Sequence, residues 1–441
     1  MRHWFKDQHF RSLLKNSGYL AASRVVAAVC GIATIAMAGR SLGLVMLGTL
    51  ILITSYAKTA GGLAKFQSWQ LIVRYGGHGV AHGNPADFKI ATGFALTLDL
   101  LSGVIGMIGA ALILPFVAAW VGIGPQYLWL AIFYCTLLPT NAAATPNGVL
   151  RVLDRFDLIS WAMTATPISR AILVAVAFAL DAPFHVFVIL WYVSDLGGDL
   201  FMWFLAWREL KRRDYHRGIR PVLKPTQLPD AWRFAIHVNL TSSADTVMGP
   251  LSRLVVGGLL GPAGAALFRI ASILSDAAAK PADLLARAFY PEIVRMDIAS
   301  KKPWKLMFRG TVVASGVALL AIVLLLLGGE PLMITLFGKE FAGAYPPLVV
   351  LMIVPFLSIF SFPLAPMLYA HGRSAGPLHA KLFGGALFFT AVAPLSWAFG
   401  VMGAAAAFVV GQLGNVLVLL VLLLREYRRL RRSRAGTPAE T

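Results

Sequence analysis

Among the basic residues inside apolar segments that are long enough to cross a lipid bilayer, five are predicted to bind substrate. They are Arg24, Lys58, Arg170, Arg253 and Arg269. A charged side chain at the centre of a transmembrane helix costs about 2.5 to 3.5 kcal/mol, so such residues usually face a bundle interior, a partner or water. Arginine is suited to binding phosphate, because its planar guanidinium donates paired hydrogen bonds and stays charged. These cations therefore predict a binding site for a phosphate-bearing anion.

Arg24 also has a second interpretation. It is the seventh residue of the apolar stretch 18–43, about 9 Å from the start of that stretch at 1.5 Å per helical residue. A long arginine side chain at this depth could extend to the membrane interface instead of binding a ligand.

The eighth apolar segment carries charge along one helix face. Arg269, Asp276, Lys280, Asp283 and Arg287 are separated by 7, 4, 3 and 4 residues. At 100° per residue, all five point into a sector of roughly 60°, which cannot face lipid tails. One interpretation is a ladder of ion pairs, Asp276 with Lys280 and Asp283 with Arg287. The other is that this face lines a water-filled cavity, where the ion pairs hold Arg269 in place.

The carboxylates inside the segments leave two roles open. Asp99, Asp245 and Asp276 could tether the arginines or bind a coupling H⁺ or Na⁺, and Lys280 and Asp283 join them as predicted ion-pair or coupling residues. Asp195 and Asp199 lie one turn apart, but two carboxylates are too few for a Mg²⁺-dependent transferase, so we interpret them as packing or water contacts.

Motifs for hydrolytic chemistry are missing from the sequence. It contains no phosphate-binding P-loop and no HExxH motif. We therefore predict no catalytic residue, no metal site and no cofactor other than the coupling ion.

The elements that position these residues are predicted from composition. The 441 residues are 58% hydrophobic and 13% charged, with a mean hydropathy of +0.72, which indicates a membrane protein. About 20 apolar residues span a bilayer as a helix. Twelve such spans are predicted, at 18–40, 43–64, 90–118, 127–150, 157–180, 184–207, 231–258, 262–290, 308–329, 345–370, 376–399 and 402–425. The predicted fold class is an all-α polytopic membrane protein.

The distribution of basic residues predicts the orientation. The formal net charge is +19, and most of the 39 Lys and Arg lie in the N-terminal tail, the even-numbered loops and the C-terminal tail. Under the positive-inside rule both termini are cytoplasmic. The blocks WRELKRRDYHRGIR (207–220) and REYRRLRRSR (425–434) then face anionic lipid rather than nucleic acid.

A proline-containing basic loop divides the spans into two sets of six. The predicted domains are a cytoplasmic interfacial segment 1–17, an N-terminal lobe 18–207, a basic cytoplasmic linker 208–230, a C-terminal lobe 231–425 and a basic cytoplasmic tail 426–441. An offset of 218 residues aligns AGRSLGLVMLGTLIL (38–52) with VGGLLGPAGAALFRI (256–270), and VLRVLDRFDLISWA (149–162) with MLYAHGRSAGPLHA (367–380). Two six-helix repeats of equal orientation predict a two-lobed bundle with a central cavity and transport by alternating access.

Several segments resemble the polysaccharide exporters of the multidrug/oligosaccharidyl-lipid/polysaccharide exporter superfamily. They are AGRSLGLVMLGTL (38–50), residues 244–296 from ADTVMGP to YPEIVRM, ITLFGKEFAGAYPPLVVL (334–351), LYAHGRSAGPLHAKL (368–382) and FGVMGAAAAFVVGQ (399–412). The resemblance covers nearly the whole chain and implies a twelve-helix flippase.

Such a flippase moves an undecaprenyl-pyrophosphate-linked oligosaccharide, the repeat unit of a lipopolysaccharide O-antigen, an exopolysaccharide or a capsule. The resemblance implies transfer from the cytoplasmic to the outer leaflet of a bacterial inner membrane, with a polysaccharide polymerase and chain-length machinery as partners. It also implies that cavity cations contact the pyrophosphate. Arg24, Arg253 and Arg269 fit that cavity, and Lys58 and Arg170 fit it less closely.

Two other functions are weighed against this one. An H⁺- or Na⁺-coupled multidrug exporter of the same superfamily would need an acidic or aromatic cavity for organic cations, whereas the spans hold seven basic and six acidic residues. A membrane glycosyltransferase, polymerase or ligase would need a sizeable charged outer loop, and the outer loops here are short. We therefore expect a transporter and not an enzyme.

Overall fold

The computed structural model describes residues 8–81, 84–140, 144–294, 302–371, 373 and 375–435. These residues form fourteen α-helices joined by short turns. The helices are α1 Gln8–Ala64, α2 Ser68–Ala81, α3 Ala86–Val121, α4 Leu128–Cys135, α5 Ala144–Val152, α6 Phe156–Ala179, α7 Phe184–Arg212, α8 Ala231–Thr246, α9 Ser252–Val294, α10 Lys302–Phe337, α11 Tyr345–Leu351, α12 Ile353–Ser361, α13 Leu364–Ala370 and α14 Ala375–Ala435. A π-helical turn, Val247–Leu251, joins α8 to α9.

Three long helices each pass through two predicted spans and bend between them. The bends lie at Gly43 in α1 (φ 72°), Gly261 in α9 (φ 72°) and Gly400 in α14 (φ 58°). Glycine adopts such positive φ angles without the steric cost that a Cβ brings. Within the described part of the chain, seven helices are long and apolar enough to cross a membrane. The prediction of an all-α polytopic membrane protein is confirmed.

Three predicted spans are not single helices. The fourth is divided into α4 and α5, the seventh into α8, the π-helical turn and the beginning of α9, and the tenth into α11, α12 and α13. Pro139 follows α4, and Pro363 lies between α12 and α13. Proline has no N–H to continue the helical ladder and its ring clashes with the preceding turn. The predicted spans at 127–150, 231–258 and 345–370 are therefore interrupted helices, and the segment Lys339–Tyr369 is nevertheless long and apolar enough to cross a membrane.

Contacts divide the chain into two compact units, Met1–Gly258 and Leu259–Thr441. In the first unit α6 packs along α1, while α2 packs against α3 and α5. The buried core includes Leu50, Leu52 and Ile53 of α1, each at most 1% exposed. In the second unit α14 packs against α11 and α13. Within α14, Gly384 and Gly411 approach so closely that a Cβ on Gly384 would be 2.5 Å from the Gly411 carbonyl oxygen.

The basic linker is an ordered part of the first unit. The Val222 N–H donates to the Thr97 hydroxyl at 2.9 Å, and Tyr75 donates to the Pro229 carbonyl at 2.7 Å. A Cβ on Gly93 would be 2.0 Å from the Arg220 carbonyl oxygen, so this close approach requires glycine. The division into units falls after Gly258, whereas the sequence placed the lobe boundary at 208–230. The predicted domain boundaries stay a prediction.

The backbone repeats at the offset of 218 residues. Gly43 has φ 72° and ψ 177°, and Gly261 has φ 72° and ψ −177°. Arg155 N–H donates to the Leu150 carbonyl at 2.8 Å, and Arg373 N–H donates to the Leu368 carbonyl at 2.9 Å. Equivalent turns therefore occur at equivalent places in both halves of the sequence.

Replacing Gly261 by alanine is expected to lower the free energy of unfolding by about 1 to 2 kcal/mol, because an L-residue is strained at positive φ. A new Cβ there meets nothing within 4 Å, and the same holds at Gly109 in α3, whose φ is not positive. Gly109→Ala is therefore the matched control, and it should be neutral or stabilising by up to about 1 kcal/mol. Thermal unfolding of the purified proteins in detergent measures the change in the free energy of unfolding for each substitution. Equal effects of the two substitutions would contradict the role given to the Gly261 bend.

Candidate functional site

Arg170 is held inside the first unit by contacts with α7. Its Nε donates to the Ser194 hydroxyl at 2.8 Å, and its guanidinium forms an ion pair with Asp195. The guanidinium carbon lies 5.4 Å from the centre of the Trp191 ring, a cation–π contact. Both charged side chains are only 15% exposed. The predicted substrate cation Arg170 thus has a defined orientation on a buried helix face.

Asp195 is shared by several groups. Tyr134 of α4 donates its hydroxyl to the second carboxylate oxygen at 2.6 Å. Lys58 of α1 and Arg170 of α6 both attract the same carboxylate electrostatically, although Lys58 itself is exposed on its helix. Contacts of Asp195 therefore join α4, α6 and α7, and Lys58 of α1 acts on the same carboxylate electrostatically.

Asp199 lies one turn further along α7. Lys65 and Lys58 both attract its carboxylate, and Asp195 repels it. Its Oδ2 atom is buried and accepts no hydrogen bond from the residues that the structure describes. Asp199 consequently keeps a free acceptor position next to two lysines.

Asp99 of α3 is fully buried and holds the beginnings of two other helices. It accepts hydrogen bonds from the hydroxyl of Ser68, the first residue of α2, and from Thr145, the second residue of α5. The Thr145 N–H donates at 2.9 Å and its hydroxyl at 2.7 Å. A carboxylate satisfies helix N-terminal N–H groups that have no partner within the helix. These partners of Asp99 are hydroxyl and amide groups. Lys65 attracts the Asp99 carboxylate electrostatically.

Charges of opposite sign alternate through the interior of the first unit. Six residues form a series in which each residue attracts the next one electrostatically. The series runs Asp99, Lys65, Asp199, Lys58, Asp195 and Arg170. The series contains three acidic and three basic residues, and its members Arg170 and Asp195 are in contact as an ion pair.

The second unit contains the charged face of the eighth predicted span. Arg269 Nη1 lies 3.9 Å from Asp276 Oδ2, and Arg269 is 21% exposed while Asp276 is 55% exposed. Lys280 is exposed one turn further on. The contact joins residues two turns apart, and it agrees with the interpretation in which Asp276 holds Arg269. The side chains of Asp245 and Asp283 lie outside the described part of the chain.

The two remaining predicted cations are half-buried. Arg24 lies in α1 and Arg253 at the beginning of α9, and neither is without an interaction in the structure. Their assignment to substrate binding stays a prediction.

Some residues of this network were missed in the sequence. Tyr134 carries no charge, Lys65 lies one residue beyond the predicted span 43–64, and the spacing of Asp195 and Asp199 indicated packing or water contacts. The spacing of one helical turn between the two aspartates was the available signal, since it places both carboxylates on one face of α7.

The chain is similar to known membrane proteins in sequence and in fold. No family model matches the sequence. The chain is 39% identical over 347 residues to the inner membrane protein YghQ of Escherichia coli strain K12, a match that covers 78% of this chain and 98% of the relative. The relative and the many apolar helices together support a multi-pass inner membrane protein. The orientation of the termini stays a prediction.

Solved structures share the fold. An inward-facing multidrug resistance MATE family transporter of the MOP superfamily matches with a TM-score of 0.74 and 16% identity, over 93% of this chain and 96% of that chain. The lipid II flippase MurJ, in an inward closed conformation, matches with a TM-score of 0.72 and 11% identity, over 93% of this chain and 89% of that chain. At these identities the similarity shows the fold, which is that of MOP superfamily transporters with about twelve transmembrane helices.

Replacing Asp99 by alanine leaves the donors of Ser68 and Thr145 without their acceptor in a buried place. A buried donor without an acceptor costs about 1 to 3 kcal/mol, so we expect the free energy of unfolding to fall by about 2 to 4 kcal/mol. Asp99→Asn should cost less, because the amide oxygen still accepts. Thermal unfolding of purified protein measures the difference, and wild-type stability in Asp99→Ala would show that α2 and α5 do not need this carboxylate.

A cysteine at Asp276 distinguishes a water-filled cavity from a sealed ladder of ion pairs. In a protein whose Cys30 and Cys135 are replaced by serine, Asp276→Cys is expected to react with a membrane-impermeant thiol reagent. The control is Ser275→Cys in the same helix, because Ser275 is 3% exposed and donates to the Leu351 carbonyl at 2.9 Å. An Asp276→Cys protein as inert as Ser275→Cys would count against a cavity along this face.

Proposed function

Since the chain belongs to the same family as the inner membrane protein YghQ of Escherichia coli, we propose that it is a flippase for lipid-linked oligosaccharides. The substrate is an undecaprenyl-pyrophosphate-linked repeat unit of an O-antigen, an exopolysaccharide or a capsule. The protein moves it by alternating access from the cytoplasmic to the outer leaflet of a bacterial inner membrane.

The shared fold supports transport but does not choose the substrate. MurJ, whose name gives lipid II as its substrate, and a multidrug resistance transporter match this chain with nearly equal TM-scores of 0.72 and 0.74. One fold can carry different functions, so the choice depends on the chemistry of the site.

The observation that carries the proposal is the guanidinium of Arg170, oriented by Ser194 and Asp195 inside a membrane-spanning unit. A phosphate group that leaves water needs charged donors, because an unpaired anion in a low-dielectric interior is very costly. Arg170 supplies such a donor in contact with Asp195, and Lys58 adds a second positive charge that acts on the same carboxylate.

In this mechanism Asp195 and the pyrophosphate compete for the same cations. Without substrate, Asp195 is paired with Arg170 and attracts Lys58 electrostatically. When the pyrophosphate enters, its oxygens accept the hydrogen bonds of the guanidinium, and Tyr134 remains as a donor to Asp195. Arg24, Arg253 and Arg269 are proposed as further contacts for the anionic headgroup.

Coupling to H⁺ or Na⁺ belongs to the same proposal. Asp99 already accepts hydrogen bonds from Ser68 and Thr145. Asp199 has a buried oxygen that accepts none from the described residues, and Lys58 and Lys65 lie near it. Asp199 is therefore better placed than Asp99 to bind a proton or cation that exchanges with these lysines.

A multidrug exporter coupled to H⁺ or Na⁺ is the second candidate. One observation favours it: Asp195 and Asp199 lie one turn apart on α7, and Trp191 lies near the same network. Carboxylates beside an aromatic ring bind organic cations. The flippase proposal is preferred because Arg170 and the lysines neutralise these carboxylates.

The proposed partners of the flippase follow from its substrate. The glycan delivered to the outer leaflet is the substrate of a polysaccharide polymerase and its chain-length machinery. No nucleic acid takes part.

Cells depleted of the protein are expected to accumulate complete undecaprenyl-pyrophosphate repeat units, measured by mass spectrometry of extracted lipids. Wild type should clear them. Arg24→Ala and Arg170→Ala, at equal membrane abundance, should clear them about tenfold less well, because a hydrogen bond to a charged group contributes about 1.5 to 3 kcal/mol. Arg40→Ala is the control, since Arg40 belongs to α1 like Arg24 but lies in the turn region near Gly43.

The other outcomes are equally informative. An unchanged lipid profile in depleted cells would remove this substrate class, and faster accumulation of a fluorescent organic cation in the same cells would then support the multidrug exporter. Loss of membrane abundance in Arg170→Ala would indicate that its ion pair with Asp195 is structural.

A further inference from the structure

The first unit has an arginine–glutamate corner where the α5–α6 loop meets the end of α7. Arg155 Nη1 donates to Glu209 Oε2 at 2.7 Å. The other edge of the guanidinium donates to both oxygens of Asp157, from Nε at 3.0 Å and from Nη2 at 2.8 Å. Arg213 Nε lies 3.4 Å from the second oxygen of Glu209. Two arginines therefore face two carboxylates.

The second unit has a corresponding corner where the α13–α14 loop meets the end of α14. Arg373, which is equivalent to Arg155 at the offset of 218 residues, donates from Nε to Glu426 Oε2 at 3.1 Å. Arg429 Nη1 lies 3.7 Å from Glu426 Oε1. Glu426 thus holds two guanidiniums side by side, as Glu209 does in the first unit.

The second corner lacks one of the acidic residues that the first corner contains. The residue equivalent to Asp157 is Ala375, whose methyl group accepts no hydrogen bond and carries no charge. Among the residues that the structure describes, the second corner consequently has two arginines around one carboxylate. It is also more open, because Arg373 is 54% exposed whereas Arg155 is 22% exposed, and Arg429 is 70% exposed.

Aromatic side chains border the second corner. The Trp304 ring lies 4.7 Å from the Tyr427 ring and 6.0 Å from the His371 ring. Tryptophan and tyrosine are enriched at the level of the lipid head groups. This end of α14 is predicted to face the cytoplasm, where the leaflet carries anionic lipid.

We propose that the second corner binds the phosphate of an anionic phospholipid head group, which takes the place that the Asp157 carboxylate has in the first corner. Guanidinium groups bind phosphate oxygens with the same paired geometry as carboxylate oxygens. The lipid phosphate neutralises the excess positive charge of Arg373 and Arg429 and fastens the end of α14 to the α13–α14 loop. The site is separate from the proposed transport site, and its test needs no transport measurement.

The test introduces the carboxylate that the second corner lacks by the substitution Ala375→Asp. Full-length protein is purified in detergent, freed of lipid and titrated with phosphatidylglycerol or phosphatidylcholine, with bound lipid counted by native mass spectrometry and thermal unfolding followed in parallel. Wild type should bind phosphatidylglycerol preferentially and melt at a higher temperature with it. Ala375→Asp should melt higher without lipid, lose the response to phosphatidylglycerol and bind it about tenfold more weakly, since its carboxylate occupies the guanidiniums.

Two variants keep the test decisive. Arg373→Gln removes a half-exposed side chain and should also lose the response, even if Ala375→Asp fails to fold. Ala182→Asp adds the same charge in the α6–α7 loop of the first unit and should respond like wild type.

Equal phosphatidylglycerol responses in wild type, Ala375→Asp and Arg373→Gln would overturn the proposal. A response of wild type to inorganic phosphate that is as large as its response to phosphatidylglycerol, and that Arg373→Gln also loses, would overturn the assignment to a lipid head group.

Discussion

Inside the first unit, the carboxylate of Asp195 is paired with Arg170, accepts a hydrogen bond from Tyr134 and attracts Lys58. Hydrocarbon does not solvate charge, so a charged side chain among membrane-spanning helices needs such partners from the protein. The pairing requires α1, α4, α6 and α7 to present polar groups to one point. The packing of α6 along α1 and against α7 provides this arrangement.

The same constraint explains how the unit accommodates interrupted helices. Backbone N–H and C=O groups that are not paired within a helix must be satisfied by the protein where lipid surrounds it. Asp99 does this for α5 by accepting the N–H and the hydroxyl of Thr145, and it accepts the hydroxyl of Ser68 at the start of α2. A carboxylate in the middle of α3 therefore positions two short helices. The alternating charges from Asp99 to Arg170 begin at this structural contact and continue to the cations proposed to bind substrate.

Duplication gives both halves the same geometry but not the same chemistry. The corner around Arg155 is neutral and its Glu209 is 2% exposed, whereas the corner around Arg373 lacks one acid and is open. The same principle applies to the whole fold, which is shared by a multidrug transporter and a lipid II flippase. A common scaffold fixes where side chains lie, and a few substitutions at those places decide which ligand is bound.

The membrane class, most of the spans and the repeat follow from the sequence alone, because they depend on local quantities. Segment length and apolarity must match the bilayer. Gly43 and Gly261 recur at one sequence offset, and in the structure both have the same positive φ. The sequence also indicated that Arg170 lies at membrane depth and that Arg269 and Asp276 share a helix face. It did not identify the partners: Asp195 is 25 residues from Arg170, and Tyr134 lies on another helix. Helical periodicity gives the direction of a side chain around its own axis, whereas an ion pair between helices depends on which faces pack together, and only the tertiary structure decides that.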